Sequence, residues 1–117
     1  SHETSRLGWF EEFALPARDL QASARWWEQL GFVAAEVTET PWPHVGLTSD
    51  SLDVGLLTRG SLRGPALVFK EPDMAERIRA LADAGVAFAR DLPRALDPRE
   101  NALLVAPEGT LLLLTTG

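Results

Sequence analysis

The same arrangement of residues occurs twice in this chain, 54 positions apart. Asp19 corresponds to Asp73 and Gly31 corresponds to Gly85, with no gap between them. An Asp at the start of such a segment can cap a helix, and a glycine about three turns later can end it in the left-handed conformation. The sequence therefore predicts two equivalent amphipathic helices, and Glu76 adds a predicted capping box to the second.

Short predicted strands complete each repeat. Residues 10–15 alternate well enough for a strand before the first helix, and turn residues separate three strand candidates after each helix. The candidates are residues 32–39, 44–48 and 52–58 in the first repeat and residues 86–91, 102–105 and 110–116 in the second. A shift of 57 positions aligns the closing strands, residues 54–58 with 111–115. The predicted fold class is α+β, built from tandem β-α-β-β-β repeats.

Length and composition fit one globular domain and exclude several classes of protein. We expect a single domain over residues 1–117, with repeat one at about 9–58 and repeat two at about 65–116. The absence of cysteine excludes disulfides and thiolate metal sites, and it fits a cytoplasmic protein. The net charge of −6 disfavours nucleic acid, and the apolar runs are far too short to span a membrane. We therefore expect neither nucleic acid nor a membrane as a partner.

Three stretches, taken in order, resemble one protein family. They are ALPARDLQASARWWEQLGF from Ala14, PDMAERIRALADAGV from Pro72 and APEGTLLLLT from Ala106. With the duplicated unit, they are similar to the vicinal oxygen chelate superfamily of glyoxalase I, extradiol dioxygenases and bleomycin resistance proteins, and most similar to the last group. The resemblance covers about residues 9–116 and implies that the repeats form a cupped mixed sheet with a central cleft.

The resemblance also implies where a metal ion would bind. In metal-dependent members the ligands are His, Glu or Gln from the first and last strands of each repeat, and these positions carry over to Glu12, Leu56, Ala66 and Leu113. A one-residue slip would replace Leu56 by Gly55, which has no ligand atom either. Because only Glu12 could coordinate, we expect no metal site, no cofactor and no catalytic residue.

Strand alternation predicts the lining of the cleft, which is apolar apart from one acid. The predicted ligand-binding residues are Phe10, Glu12, Trp42, His44, Val54, Leu56, Ala66, Val68, Leu111 and Leu113, with Ala14 on the same face. Glu12 has two open interpretations, an anchor for a ligand cation or a solvated carboxylate that protects a strand edge. Trp42 and His44 are either ligand contacts or parts of a packed loop, and a His44 dyad would need Glu12 or Asp53.

The functional prediction follows from an apolar cleft with one acid. We expect a metal-free homodimer that sequesters a small aromatic, cationic molecule, such as a bleomycin-type antibiotic, with Trp26 and Trp27 in the helix core. One alternative is a metal-dependent lyase, isomerase or dioxygenase-like enzyme of the same superfamily. Another is a regulatory module whose cleft is filled by its own side chains.

Overall fold

The structure, a computed structural model, describes residues 5–58 and 62–117. This part of the chain contains seven strands and two helices in an α+β arrangement. In chain order they are β1 (Trp9–Ala17), α1 (Leu20–Gln29), β2 (Val33–Ala34), β3 (His44–Ser49), β4 (Leu52–Thr58), β5 (Ala66–Lys70), α2 (Met74–Asp83), β6 (Ala102–Val105) and β7 (Leu111–Thr115). Neither helix in the described residues has the length and apolar character that crossing a membrane requires.

Two of the predicted strands are shorter than expected or missing. The strand predicted at residues 32–39 is reduced to the two residues of β2, and the strand predicted at 86–91 does not form. Instead, one backbone hydrogen bond joins the amide of Ala89 to the carbonyl of Leu103 at 2.8 Å. Each segment follows a helix and lies at an edge, beside β3 in the first repeat and beside β6 in the second. A segment in this position can pair on one side only.

The chain divides into two compact units. Residues 12–66 form the first, and residues 67–117 with those up to Glu11 form the second. In the first unit β4 pairs in parallel with β1 and antiparallel with β3, which in turn pairs with β2. In the second unit the strand order is β5-β7-β6, and β6 and β7 are antiparallel.

In the first unit, α1 covers one face of the strands. The register sets Leu15, Leu56 and Val45 side by side across β1, β4 and β3. These side chains pack with Leu47 and Trp27 in a core beneath the helix. Each fully buried aliphatic side chain of this kind stabilises the fold by about 1.5–3 kcal/mol.

Helix α1 begins and ends at the predicted residues. The Asp19 carboxylate accepts a hydrogen bond from the Ala22 amide at 3.0 Å, and Gly31 adopts a φ of +100°. Trp27 packs on the core as predicted, but Trp26 is 55% exposed. The prediction that both rings are buried was wrong for Trp26, because adjacent helical residues point about 100° apart.

In the second unit, α2 covers one face of β6 and β7. The core beneath it contains Met74, Leu81, Ala102 and Leu114. The predicted capping box is absent, because the Asp73 side chain makes no hydrogen bond to the helix amides. It accepts a hydrogen bond from Arg77 Nε at 2.8 Å instead, and this bond raises the pKa of the Arg77 guanidinium.

Candidate functional site

A carboxylate and an imidazole meet on the face of the first unit that is turned away from α1. Glu12 in β1 and His44 at the start of β3 are joined through Oε2 and Nε2, which lie 2.8 Å apart. Their side chains are 16% and 27% exposed, respectively. Since an ionised carboxylate can only accept, the imidazole donates this hydrogen bond. We call Glu12 and His44 the polar pair.

The polar pair depends on the glycine between its two strands. Strand β4 lies between β1 and β3, so the two side chains reach towards each other over a span of roughly 9–10 Å. A Cβ placed on Gly55 of β4 would overlap the Glu12 carboxylate and lie 2.6 Å from Nε2 of His44. Any larger residue at Gly55 would therefore separate the pair.

The residues beside Gly55 also carry little side chain. Ala14 in β1 and Gly46 in β3 are its direct neighbours in the register. A Cβ added to Gly46 would meet only His44 Cε1, at 4.0 Å, which is an ordinary contact distance. Ala14 and Gly55 are buried, and the polar pair itself lies over Gly55.

The polar pair can bind a charged group, and it can hold or move a proton. His44 holds one carboxylate oxygen, and the other, Oε1 of Glu12, has no protein partner among the described residues. That oxygen can accept a hydrogen bond from a ligand, and a carboxylate–imidazole contact can also move a proton. Asp53, two residues before Gly55, is the other acidic side chain on this face of β4, and it is exposed.

The residues at the positions implied for a metal do not fit a divalent ion. Leu56 lies in the core beneath α1, and Ala66 and Leu113 offer only hydrocarbon. Glu12 and His44 supply two donors, and residues 5–58 and 62–117 contain no group of three or more His, Cys, Asp or Glu side chains that could hold an ion. Protein sites for zinc generally use three or four side chains, so this donor set supports no metal-dependent step.

Two residues of the predicted lining lie on the other face of the first unit. Val54 and Leu56 are paired with Phe13 and Leu15 and pack against α1. The prediction that they share a face with Glu12 was wrong. Gly55 occupies the place that alternation had given to them.

A difference in turn length explains the error. β3 and β6 align at a shift of 57, but between the last matching cross-strand pairs the first hairpin has four residues, 49–52, and the second has five, 106–110. The closing strands β4 and β7 therefore align at a shift of 58. As a result Gly55, and not Leu56, corresponds to Leu113.

The other predicted contacts are distributed over both units. Ala66, Val68, Leu111 and Leu113 are buried. The ring of Phe10 meets Phe69 edge to face with centroids 5.6 Å apart, and Phe69 packs against the core of α2. Trp42 is half-buried in the loop that leads into β3. Ligand contact by these residues stays a prediction.

Sequence reasoning named both members of the polar pair as ligand contacts but missed the role of Gly55. It left Glu12 and Asp53 as alternative partners of His44, and the structure selects Glu12. A signal was available, because a glycine inside an aliphatic strand often marks the close approach of another group. Gly46, its cross-strand neighbour, has the same pattern but no such close approach.

Comparisons with known proteins identify the fold. No protein family and no curated protein matches the sequence. An NAD-dependent benzaldehyde dehydrogenase from Legionella pneumophila is similar in structure, with a TM-score of 0.68 and 16% identity over 89% of this chain and 96% of that one. A methylmalonyl-CoA epimerase from Mycobacterium tuberculosis has a TM-score of 0.67 and 16% identity over 99% and 92% of the two chains.

A third structure carries the name of the predicted superfamily. It is a glyoxalase/bleomycin resistance protein/dioxygenase superfamily member from Vibrio splendidus 12B01, with a TM-score of 0.55 and 18% identity over 91% of this chain and 97% of that one. The first two names describe different activities and the third names only a superfamily, so their likeness to this chain concerns the fold and not the chemistry. The chain has the glyoxalase/bleomycin resistance protein/dioxygenase fold, as the resemblance implied.

Proposed function

We propose that this protein binds a small aromatic cation without transforming it and without a metal ion. The observation that carries the proposal is the polar pair, in which His44 holds the Glu12 carboxylate at 2.8 Å over the bare backbone of Gly55. A bleomycin-type antibiotic is one candidate ligand, and sequestration of a drug is the corresponding role.

Partial burial makes the Glu12 carboxylate more than a surface charge. Its side chain is 16% exposed, so a cation that contacts it interacts in a medium less polarisable than water. Hydrogen bonds to charged groups are worth about 1.5–3 kcal/mol. The net charge of −6 adds a long-range attraction for cations and repels anions.

The aromatic part of the proposed ligand is supported by the surroundings of the polar pair. We propose Trp42, which stands between two prolines two residues before His44, as a stacking surface. The proposed assembly is a homodimer, which light scattering in solution can test.

The direct test is the replacement of Glu12 by Gln, which removes the charge and keeps the shape. We expect the dissociation constants of metal-free bleomycin and of protonated 9-aminoacridine, measured by isothermal titration calorimetry, to rise at least about tenfold. Glu36→Gln is the matched control, because Glu36 is an exposed acid of the same unit, and it should bind like wild type. Failure of the wild-type protein to bind either probe would refute the proposal.

A metal-free acid–base enzyme of the same fold is the second candidate. The observation that favours it is the hydrogen-bond contact between a carboxylate and an imidazole, which is a common arrangement for general acid–base catalysis. The two functions differ in the fate of the ligand. Recovery of the ligand unchanged after long incubation supports binding, and turnover that is insensitive to EDTA but lost in His44→Gln supports the enzyme.

A further inference from the structure

The polar pair offers a ligand one carboxylate oxygen as a hydrogen-bond acceptor. Glu12 Oε2 is taken by His44, and Oε1 has no protein partner among the described residues. Because the Glu12 side chain is mostly covered, only a small part of it is accessible to a ligand. A cation that ends in N–H can place its hydrogen directly on Oε1, at an N···O distance of about 2.8 Å.

A cation of the same charge whose nitrogen is fully methylated cannot make this contact. A methyl carbon stops at van der Waals distance, about 3.5–4.0 Å from the oxygen, and the nitrogen stays farther away. Such a ligand keeps part of the Coulomb attraction but loses the charge-assisted hydrogen bond, and the covered carboxylate cannot recover a water molecule in its place as easily as a surface acid can.

We propose that this site selects cations that carry an N–H donor, such as protonated amines and amidines, over permanently methylated cations of the same shape. Glu12 is the acceptor, His44 is the positioning residue that fixes its carboxylate, and Gly55 sets the selectivity by leaving space for both side chains. This inference rests on the proposed function, since it specifies the ligand of the same site.

The role of Gly55 follows from its contacts. With a Cβ at this position, the Glu12 carboxylate and His44 Nε2 could not both keep their places. Gly46 offers a matched comparison, because it pairs directly with Gly55 and an added Cβ there would have only an ordinary contact with His44. Gly55→Ala should therefore disturb the site, and Gly46→Ala should leave it intact.

The experiment compares two aromatic cations of equal charge, protonated 2-naphthylmethylamine and its N,N,N-trimethylammonium analogue, which has no N–H donor. Calorimetric titration of wild type should give at least about tenfold tighter binding of the protonated probe. The ratio of the two dissociation constants should fall towards one in Glu12→Gln, His44→Gln and Gly55→Ala. It should stay at the wild-type value in Gly46→Ala.

The ratio separates a positioning role from a structural one, because partial unfolding lowers the affinity for both probes equally. Equal binding of the two probes by wild type would overturn the inference and leave the proposed function standing, and this result needs no variant. A wild-type ratio that persists in His44→Gln and Gly55→Ala would overturn the roles of those residues. Absence of binding by either probe would defeat the proposed function itself.

Discussion

The two repeats carry opposite kinds of residue at equivalent positions. In the first repeat, Gly46 and Gly55 are cross-strand neighbours, and Gly55 leaves space for the polar pair. In the second, Leu103 and Leu113 are cross-strand neighbours at the same two positions, and they are 2% and 5% exposed. One repeat has two polar side chains over its backbone where the other has packed hydrocarbon.

The charged positions differ in the same way. The counterpart of Glu12 is Ala66, and the counterpart of His44 is Asn101, a neutral side chain. Asn101 is buried and donates from Nδ2 to the Asp97 carbonyl at 3.0 Å, so it stabilises the loop that leads into β6. Duplication thus lets one copy supply hydrocarbon to a core while the other keeps a partly buried charge, which an apolar core alone would not tolerate.

The largest change in stability is expected when the second repeat receives the glycine of the first. Leu113→Gly removes a buried side chain and adds backbone freedom to a strand, and we expect it to lower the free energy of unfolding by about 3–5 kcal/mol. Urea denaturation measures the change. The matched control is Leu30→Ala, an exposed leucine that should alter stability by less than about 0.5 kcal/mol.

A loss below about 1 kcal/mol in Leu113→Gly would mean that the leucine is not packed and that the two repeats do not differ in this respect. A loss of the expected size would show that a glycine is costly at this position in the second repeat, where no polar pair covers it. The size of the loss therefore tests whether the two repeats differ at this position.

The sequence was sufficient for the fold class and for most elements, because the signals involved are local. Alternation and turn residues located β3, β4 and β6, and the spacing from Asp19 to Gly31 located α1. The faces of β4 were assigned wrongly, because the second hairpin has one residue more than the first, and a one-residue slip in alignment exchanges the two faces of a strand. The sequence therefore contained the glycine at position 55 but did not show that the polar pair lies over it.

The two helix starts give a smaller test of the same comparison. Asp19 caps α1 through its side chain, whereas Asp73 is engaged with Arg77 on the surface of α2. Asp19→Ala should therefore cost about 1 kcal/mol, and Asp73→Ala about 0.3–0.5 kcal/mol. Parallel urea titrations of the two variants measure the difference, and equal losses would show that the two aspartates do the same work.

The capping result shows a limit of sequence patterns. Asp73 and Glu76 have the spacing of a capping box, yet no cap forms, because Arg77 lies one turn after Asp73 and offers a charged donor. The pattern describes which hydrogen bonds are possible, and the competing side chain decides which one is made.

The smallest expected effect is a pH dependence confined to the second repeat. Asp97 accepts hydrogen bonds from the Arg99 side chain and from its backbone amide, and these bonds lower the pKa of Asp97, the side-chain bond more than the backbone one. The first repeat has Thr40 at the equivalent position and no such acid.

A carboxyl group whose pKa is lower in the folded state stabilises the fold above its ordinary pKa, about 3.9 for Asp, and loses that contribution as the pH falls through the folded value. We therefore expect Asp97→Asn to reduce the melting temperature slightly near pH 7, with the difference from wild type disappearing in strong acid. Calorimetric scans across the acid range measure it, and Arg99→Gln should behave alike because it removes the same side-chain bond. A difference that grows as the pH falls has the wrong sign for this mechanism, and it would show that the Asp97 loop stabilises the second repeat through its shape and not through its charge.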